Sequence, residues 1–167
     1  MDHMLDLTVS ELTEEDAKAI CLWRYDVPYD IYNYPSWDTA RAQGSGITDP
    51  ARRCKEFFAV RNDNRFIGYF RIINHGQSVM IGLGLAPDMC GHHLGQRLML
   101  LVKEALQQKY HDKTAQLEVR TFNERAIRCY ESAGFVIKEK YCRDTPLGPG
   151  EFYLMELSKV VVLNIPK

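Results

Sequence analysis

One segment in the middle of the chain most constrains the fold, because the spacing of its apolar residues changes once. Residues 78–86, SVMIGLGLA, are apolar and typical of a strand, although they include two glycines. From Leu94 to about Tyr110, apolar residues recur at helical spacing opposite a polar and charged face. A short loop, MCGHH, separates the two patterns. The segment therefore predicts a strand that leads through a glycine-containing loop into a long amphipathic helix.

The loop before this helix admits three interpretations. A helix start exposes backbone N–H groups and the positive end of the helix dipole, and Gly91 and Gly95 would let the backbone approach an anion closely, which favours a phosphate. A tight turn without a ligand explains two glycines equally simply. A metal site is disfavoured, because Cys90, His92 and His93 lie too close together for a familiar zinc spacing. The residues alone leave the first two interpretations open.

The remaining patterns predict a mixed α/β arrangement. Thr13 and Asn123 are suitable N-caps, and Gly134 is suited to a left-handed helix end. The segment from 26 to 46 contains two prolines and a Gly-Ser-Gly, which predicts a loop that could include one helical turn. Strands are predicted at 6–12, 56–60, 65–73, 115–121, 135–142 and 151–158, and helices at 13–25, 49–55 and 124–133. The octapeptide RDTPLGPG is predicted as the loop that joins the last two strands.

Composition and charge bound the function classes. The 167 residues are 46% hydrophobic and contain no Pro/Gly/Ser-rich linker, which predicts a single domain over residues 1–167. The net charge of -1 is spread evenly, so neither a nucleic acid nor an anionic membrane is an expected partner. Five widely spaced cysteines without a CxxC pair, and no signal peptide or long apolar span, favour reduced thiols and the cytoplasm.

Aromatic residues are unusually dense in the predicted loop. Tyr29, Tyr32, Tyr34 and Trp37 lie within nine residues of one another. They could cover the core beneath a long connection, or they could line a substrate pocket. Tyr29, Tyr32 and Trp37 are therefore candidate substrate-binding residues, and the core-covering role stays open.

Two stretches of the sequence resemble motifs of the GNAT superfamily of N-acetyltransferases, and they occur in the same order as in that superfamily. LGLAPDMCGHHLGQRLMLLV resembles its acyl-CoA-binding motif, in which a strand feeds a loop of the form Arg/Gln-x-x-Gly-x-Gly/Ala and then a long helix. NERAIRCYESAGF resembles its Asn-x-x-Ala-x-x-x-Tyr-x-x-x-Gly-Phe segment. The matched residues of that second motif are Asn123, Ala126, Tyr130, Gly134 and Phe135. The resemblance implies a central mixed β-sheet flanked by helices, with a cleft between two parallel strands.

The first motif departs from the superfamily pattern at two positions. Cys90 stands where arginine or glutamine is usual, and His93 stands where the middle glycine is usual. The first change removes a polar side-chain contact to the pyrophosphate. The second requires a histidine to adopt the backbone angles of a glycine, which it tolerates better than a β-branched residue does. Main-chain contacts to the pyrophosphate survive both changes.

The resemblance implies that acetyl-CoA is the co-substrate, and the spacing of Cys90, His92 and His93 gives no reason to expect a metal. The coenzyme would lie between the strand at 79–85 and the strand at 116–120, with its pantetheine amides paired to main chain. The implied coenzyme-binding residues are Leu83, Gly84, Leu85, Cys90, Gly91, His92, His93, Leu94, Gly95, Gln96, Asn123 and Tyr130.

The implied reaction is direct attack by an amine on the thioester in a ternary complex. Tyr130 matches the tyrosine that protonates the departing thiolate in the superfamily. The strand VMIGLGL carries no carboxylate to serve as the base, so Glu118 on the neighbouring strand is the first candidate and His75 the second. Both are also explained as exposed polar residues, and for a low-pKa acceptor water alone could take the proton. A base matters most for a lysine-like amine, whose deprotonation at pH 7 costs about 4.6 kcal/mol against about 1.4 kcal/mol for an α-amine.

Three hypotheses follow from these patterns. The first is an N-acetyltransferase that acts on a primary amine of a small molecule or protein. The second is a non-catalytic acyl-CoA-binding module, suggested by the two loop departures and by the strand without a carboxylate. The third is an interaction domain that binds no coenzyme. The resemblance also implies a small-molecule or peptide amine as the partner and is compatible with a homodimer.

Overall fold

The computed structural model of the chain describes residues 6–157. The strands in this range are β1 Leu7–Glu11, β2 Phe57–Asn62, β3 Arg65–Asn74, β4 Ser78–Leu85, β5 Thr114–Arg120, β6 Val136–Thr145 and β7 Gly148–Leu157. The α-helices are α1 Glu14–Leu22, α2 Trp37–Ala42, α3 Pro50–Glu56, α4 Leu94–Lys109 and α5 Glu124–Ser132. Short 3-10 turns occupy Tyr29–Tyr32, Gly46–Thr48 and Pro87–Met89.

The seven strands form one mixed sheet in the order β1-β2-β3-β4-β5-β7-β6. β4 and β5 are parallel and pair over four residues, from Ser78 opposite Thr114 to Ile81 opposite Leu117. β1 with β2, β2 with β3, β5 with β7 and β6 with β7 are antiparallel. This arrangement confirms the predicted α/β fold class, a mixed sheet with flanking helices and one parallel pair.

The described chain divides into two compact units. The first contains residues 6–72 and 82–94, and its α1 begins at a capping box in which Thr13 and Asp16 bond each other's backbone N–H groups. This arrangement confirms the predicted cap at Thr13. The buried cluster of this unit comprises Leu12, Ala17, Ile20, Ile47, Phe57 and Ala59. Five partly buried aromatic residues pack against it: Trp23, Tyr34, Trp37, Phe66 and Tyr69.

The second unit contains residues 73–81 and 95–157 of the described chain. Burial alternates along β5, with Ala115, Leu117 and Val119 buried, as the alternation of its sequence predicts. The apolar stripe of α4 is also buried, at Leu98, Met99, Val102 and Leu106. The prediction of a single domain stays a prediction.

The segment from 26 to 46 contains more helix than predicted. A 3-10 turn covers Tyr29–Tyr32, and α2 follows at Trp37–Ala42. The Ser36 hydroxyl caps α2 by accepting a hydrogen bond from the Thr39 N–H at 3.3 Å. The prolines and glycines of this segment therefore separate short helical pieces and do not prevent them.

The prediction that RDTPLGPG forms a loop is wrong. β6 continues to Thr145 and β7 begins at Gly148, so a tight turn at residues 146 and 147 joins two ten-residue strands. Gly148 has a φ of +103°, which favours glycine, and the Thr145 hydroxyl donates a hydrogen bond to the Gly148 carbonyl at 2.6 Å. The glycine and proline residues close a long hairpin here. Of the predicted final strand, Ser158 lies outside the described residues.

Candidate functional site

The loop before α4 has left-handed backbone angles at two residues, Gly91 and His93. Gly91 has a φ of +82°, and a Cβ at this position would meet no atom within 4 Å. His93 has a φ of +58°, so the histidine has adopted left-handed angles. Within residues 6–157, the backbone N–H groups of Gly91, His92 and His93 have no hydrogen-bond partner. The loop therefore presents N–H donors at the start of a helix, the arrangement that suits a phosphate group.

His93 gives a test of this loop. His93→Val is expected to lower the free energy of unfolding by about 1–2 kcal/mol, because a β-branched residue resists a positive φ. His93→Gly should not lower it comparably, since glycine adopts these angles freely. The His92 and His93 side chains are both exposed, and only His93 has a positive φ. His92→Val is therefore the matched control, because it introduces the same β-branched side chain without the backbone strain. Chemical denaturation measures the difference, and equal losses at 92 and 93 would contradict the strained geometry.

Gly95, in the first turn of α4, lies against α5. A Cβ at Gly95 would be 3.1 Å from the Cys129 Sγ, so the absence of a side chain permits the two helices to approach. Burial raises the pKa of the Cys129 thiol. Cys129 is therefore a neutral packing group at neutral pH, and the glycine has a structural role in addition to the predicted phosphate contact.

The end of β4 is in contact with tyrosines that the sequence analysis did not select. The Tyr25 hydroxyl donates a 2.5 Å hydrogen bond to the carbonyl of Leu85. Burial, together with the nearby Cys90 and Tyr34, raises the pKa of Tyr25, so the hydroxyl remains a donor. A Cβ at Gly84 would lie 2.8 Å from the Tyr69 ring. The glycine within this strand therefore marks the close approach of an aromatic side chain.

Tyr34 and Tyr69 form a hydrogen-bonded pair in the same unit. Burial raises the pKa of both phenols. The Tyr69 ring also packs against Trp23 and Phe57, with centroid separations of 6.1 and 6.3 Å. The signal available in the sequence was the glycine at 84 in an otherwise apolar strand, which indicates a close neighbour without identifying it.

The predicted aromatic candidates occupy two environments. Tyr29 and Tyr32 lie in the 3-10 turn, and Tyr32 is 39% exposed. Trp37 packs against the buried cluster of its unit, and the Lys18 ammonium lies 5.4 Å from the centroid of its ring. The structure therefore gives Trp37 a core-covering contact, while Tyr32 is partly accessible.

The second motif segment forms α5 as expected. The buried Asn123 side chain accepts a 3.2 Å hydrogen bond from the Ala126 N–H, which confirms the predicted cap. Tyr130 lies in the last turn of α5, two residues before its end, and its ring meets the buried Phe135 edge-to-face at 6.4 Å. Gly134 has a φ of +100°, which confirms the predicted left-handed helix end. This packing fixes the Tyr130 ring and leaves it half-buried.

The candidate base Glu118 is engaged by two side chains of β6. Arg143 Nε lies 3.1 Å from each carboxylate oxygen, and Arg143 Nη2 and the Tyr141 hydroxyl also donate to the carboxylate. Burial alone would raise the pKa of Glu118, but the hydrogen bonds from Arg143 and Tyr141 and the positive charges of Arg143 and Arg120 outweigh it and lower the pKa. Glu118 is therefore ionised, and it is a weak acceptor for an amine proton. His75 lies in the turn before β4, where its N–H donates to the Ser78 carbonyl.

The predicted coenzyme-binding residues fall into two sets. Leu83, Gly84, Leu85, Cys90, Gly91, His92, His93 and Leu94 belong to the first unit, and Gly95, Gln96, Asn123 and Tyr130 belong to the second.

Among residues 6–157, no cluster of three or more His, Cys, Asp or Glu side chains could hold a metal, and no helix is long and apolar enough to cross a membrane. All five cysteines are free.

A family model described as acetyltransferase (GNAT) family matches residues 15–135 of the chain. This match includes both motif segments, and the protein belongs to the GNAT family of acetyltransferases. Members of this family use acetyl-CoA as their co-substrate. No curated protein matches the chain significantly.

Solved structures share the fold at low sequence identity. A mutant of the spermidine N-acetyltransferase SpeG from Vibrio cholerae is 23% identical, with a TM-score of 0.72 over 95% of this chain and 96% of that one. The ribosomal-protein-S18-alanine N-acetyltransferase from Escherichia coli is 20% identical, with a TM-score of 0.67 over 96% and 99% of the two chains. A dodecameric spermidine N-acetyltransferase from Vibrio cholerae is 19% identical, with a TM-score of 0.69 over 96% and 98%. At these identities the likeness establishes the fold.

Proposed function

We propose that the protein is an acetyl-CoA-dependent N-acetyltransferase that acetylates a primary amine of a small molecule or a protein. The observation that carries the proposal is the loop before α4. Gly91 and His93 have left-handed backbone angles there, and the backbone N–H groups of Gly91, His92 and His93 have no partner within residues 6–157, which suits a pyrophosphate. Membership of the GNAT family supports the same reaction class. Cytoplasmic location and a homodimeric state stay predictions, the second of which light scattering would test.

Two sets of residues are the proposed coenzyme contacts. Main-chain groups of Leu83, Gly84 and Leu85 would pair with the pantetheine amides, and residues 90–96 would bind the pyrophosphate. Tyr25 already bonds the Leu85 carbonyl, so this carbonyl is shared or unavailable to the coenzyme. Asn123 and Tyr130 complete the proposed contacts.

In the proposed reaction, the nitrogen of a neutral amine attacks the thioester carbonyl, and the carbon–sulfur bond breaks. The Tyr130 hydroxyl donates a proton to the departing thiolate. The proton lost from the amine passes to a base or to water. Because Glu118 is paired and has a lowered pKa, it accepts this proton poorly, and an acceptor with a low-pKa amine is favoured.

Acceptor binding is proposed for Tyr29, Tyr32 and Trp37. Tyr32→Ala is expected to raise the acceptor KM more than it changes acetyl-CoA affinity, because its partly accessible ring is proposed to contact only the acceptor. Trp37→Ala should also lower the melting temperature, since this ring packs on the buried cluster. Steady-state kinetics and calorimetry measure the two effects. A loss of stability alone in both variants would show that these aromatics only cover the core.

A free-thiol assay over a panel of amines tests the function directly. The panel includes polyamines, amino acids, arylamines and peptides with free N-termini, each with acetyl-CoA. Acceptor-dependent release of CoA supports the proposal. Saturable acetyl-CoA binding without such release would favour a non-catalytic acyl-CoA-binding module, a reading that the engaged Glu118 and the carboxylate-free β4 favour. Absence of binding would leave an interaction domain.

A further inference from the structure

A compact polar cluster covers one face of the strands β5, β7 and β6. Its members are Glu118, Arg120, Tyr141, Arg143 and Phe152. Arg120 and Tyr141 both lie directly opposite Phe152 in the strand register, so the three side chains form a cross-strand row. The Glu118 carboxylate receives hydrogen bonds from the β6 members of the cluster. Tyr141 and Arg143 lie 23 and 25 residues after Glu118 in the sequence. The hairpin of β6 and β7, which pairs with β5 through β7, brings them to Glu118.

The aromatic ring of Phe152 fixes the positions of the cations. The guanidinium carbons of Arg120 and Arg143 lie 4.6 and 4.2 Å from its centroid, and the Tyr141 ring stacks on it at 6.1 Å with an interplanar angle of 22°. A Cβ at Gly150 would fall 1.8 Å from Arg120 Nη1, so this glycine leaves the space in which Arg120 lies. Each side chain that surrounds Glu118 is therefore held by a second contact.

The charged and polar groups that act on Glu118 come from two strands, β6 and β5. Arg143 and Tyr141 contact it from β6, and Arg120 adds positive charge from β5. Glu139, also on β6, acts on the Tyr141 phenol, whose pKa burial and the hydrogen bond to Glu118 raise to about 12. The residue directly opposite Glu118 on β7 is Leu154, which is uncharged. Glu156 on β7 lies on the same face, opposite Gln116, and its carboxylate accepts a hydrogen bond from the Gln116 side chain at 3.3 Å.

These contacts use most of the carboxylate's hydrogen-bonding capacity. An ionised carboxylate has about four lone-pair positions, and Arg143 Nε, Arg143 Nη2 and the Tyr141 hydroxyl all donate to it. A bidentate guanidinium also defines the plane in which the carboxylate lies. Glu118 thus retains room for about one further donor, in a direction that β6 determines.

We infer that Arg143 and Tyr141 are positioning residues for the proposed transfer, which orient Glu118 so that one remaining lone pair of its carboxylate faces the acceptor amine. The inference rests on the proposed function, with Glu118 beside the reacting amine. Arg143 then acts on catalysis through Glu118 and has no contact with the acceptor itself.

A double-mutant cycle tests this dependence. Arg143→Met is expected to lower kcat/KM by about 2- to 100-fold, the usual range for coupled neighbours, and to have an effect of less than about twofold when Glu118→Gln is already present. Arg143→Lys should recover part of the loss, since it restores the charge without the planar fork. Arg120→Met is the matched comparison, because it removes a positive charge from the same ring without removing a hydrogen bond to Glu118, and its effect should be smaller than that of Arg143→Met. An Arg143→Met effect that persists undiminished beside Glu118→Gln would overturn the inference.

A second readout needs no activity. In Arg143→Met, Glu118 loses its main counter-charge, so its pKa rises, and carbon-13 NMR of the labelled carboxyl should show its titration at higher pH. The acidic limb of the kcat/KM profile should move in the same direction. If Arg143→Met leaves the Glu118 titration unchanged and the parent protein is active, the inference is wrong and the proposed function stands. If the parent releases no thiol with any acceptor, the proposed function fails and the inference falls with it.

Discussion

Tyr130→Phe is expected to reduce kcat by at least about tenfold, because a positioned general acid typically contributes about 10²- to 10⁴-fold. The departing thiol has an ordinary pKa of about 8.5, so protonation assists its departure without being indispensable. Phenylalanine keeps the ring that meets Phe135 edge-to-face, and the fold and acetyl-CoA affinity should be nearly unchanged. The high-pH limb of the rate profile should also change, since the titrating phenol is removed.

Steady-state kinetics across pH with the best acceptor measure this effect, and calorimetry checks coenzyme binding. Tyr110→Phe is a suitable control, because it removes a phenol hydroxyl at the end of α4, outside both motifs. If kcat of Tyr130→Phe equals that of the parent at every pH, Tyr130 is a packing residue. The coenzyme-binding proposal would survive that result.

Gly95→Val is expected to weaken acetyl-CoA binding by about 10- to 150-fold, which corresponds to the loss of one charge-assisted hydrogen bond of about 1.5–3 kcal/mol. The reason is that a branched side chain in the first turn of α4 would prevent close approach of the phosphates to the backbone N–H groups. Isothermal titration calorimetry on the folded variant measures the change.

The contact between Gly95 and Cys129 requires a matched background. Valine at 95 would press on the Cys129 sulfur, which is 3.1 Å from the position of a Cβ, so a simple variant mixes a packing defect with a binding defect. Cys129→Ala makes room for the new side chain and is expected to bind acetyl-CoA as the parent does. If Gly95→Val in this background recovers full affinity, the loss arose from helix packing and the phosphate proposal is wrong.

Local signals in the sequence predicted much of the fold. The caps at Thr13 and Asn123 and the left-handed Gly134 depend on backbone N–H and carbonyl groups within a few residues, so short patterns contain the necessary information. Alternation and helical spacing likewise placed β4, α4 and β5 within one or two residues of their observed bounds. The same signals failed at RDTPLGPG, where glycine and proline were compatible with either a loop or a tight hairpin.

The sequence by itself determined the order of the seven strands and of four of the five α-helices in the described chain, the loop before α4, and the residues that match the two family motifs. Only the tertiary structure decided which side chains surround them. The partner of the Leu85 carbonyl is 60 residues away at Tyr25, and the partners of Glu118 lie on β6. Such pairs depend on strand register and on which residues face each other across the sheet, and a one-residue slip would separate Glu118 from Tyr141. The sequence could therefore propose Glu118 as a base, but the paired and ionised state of its carboxylate became visible only in the folded chain.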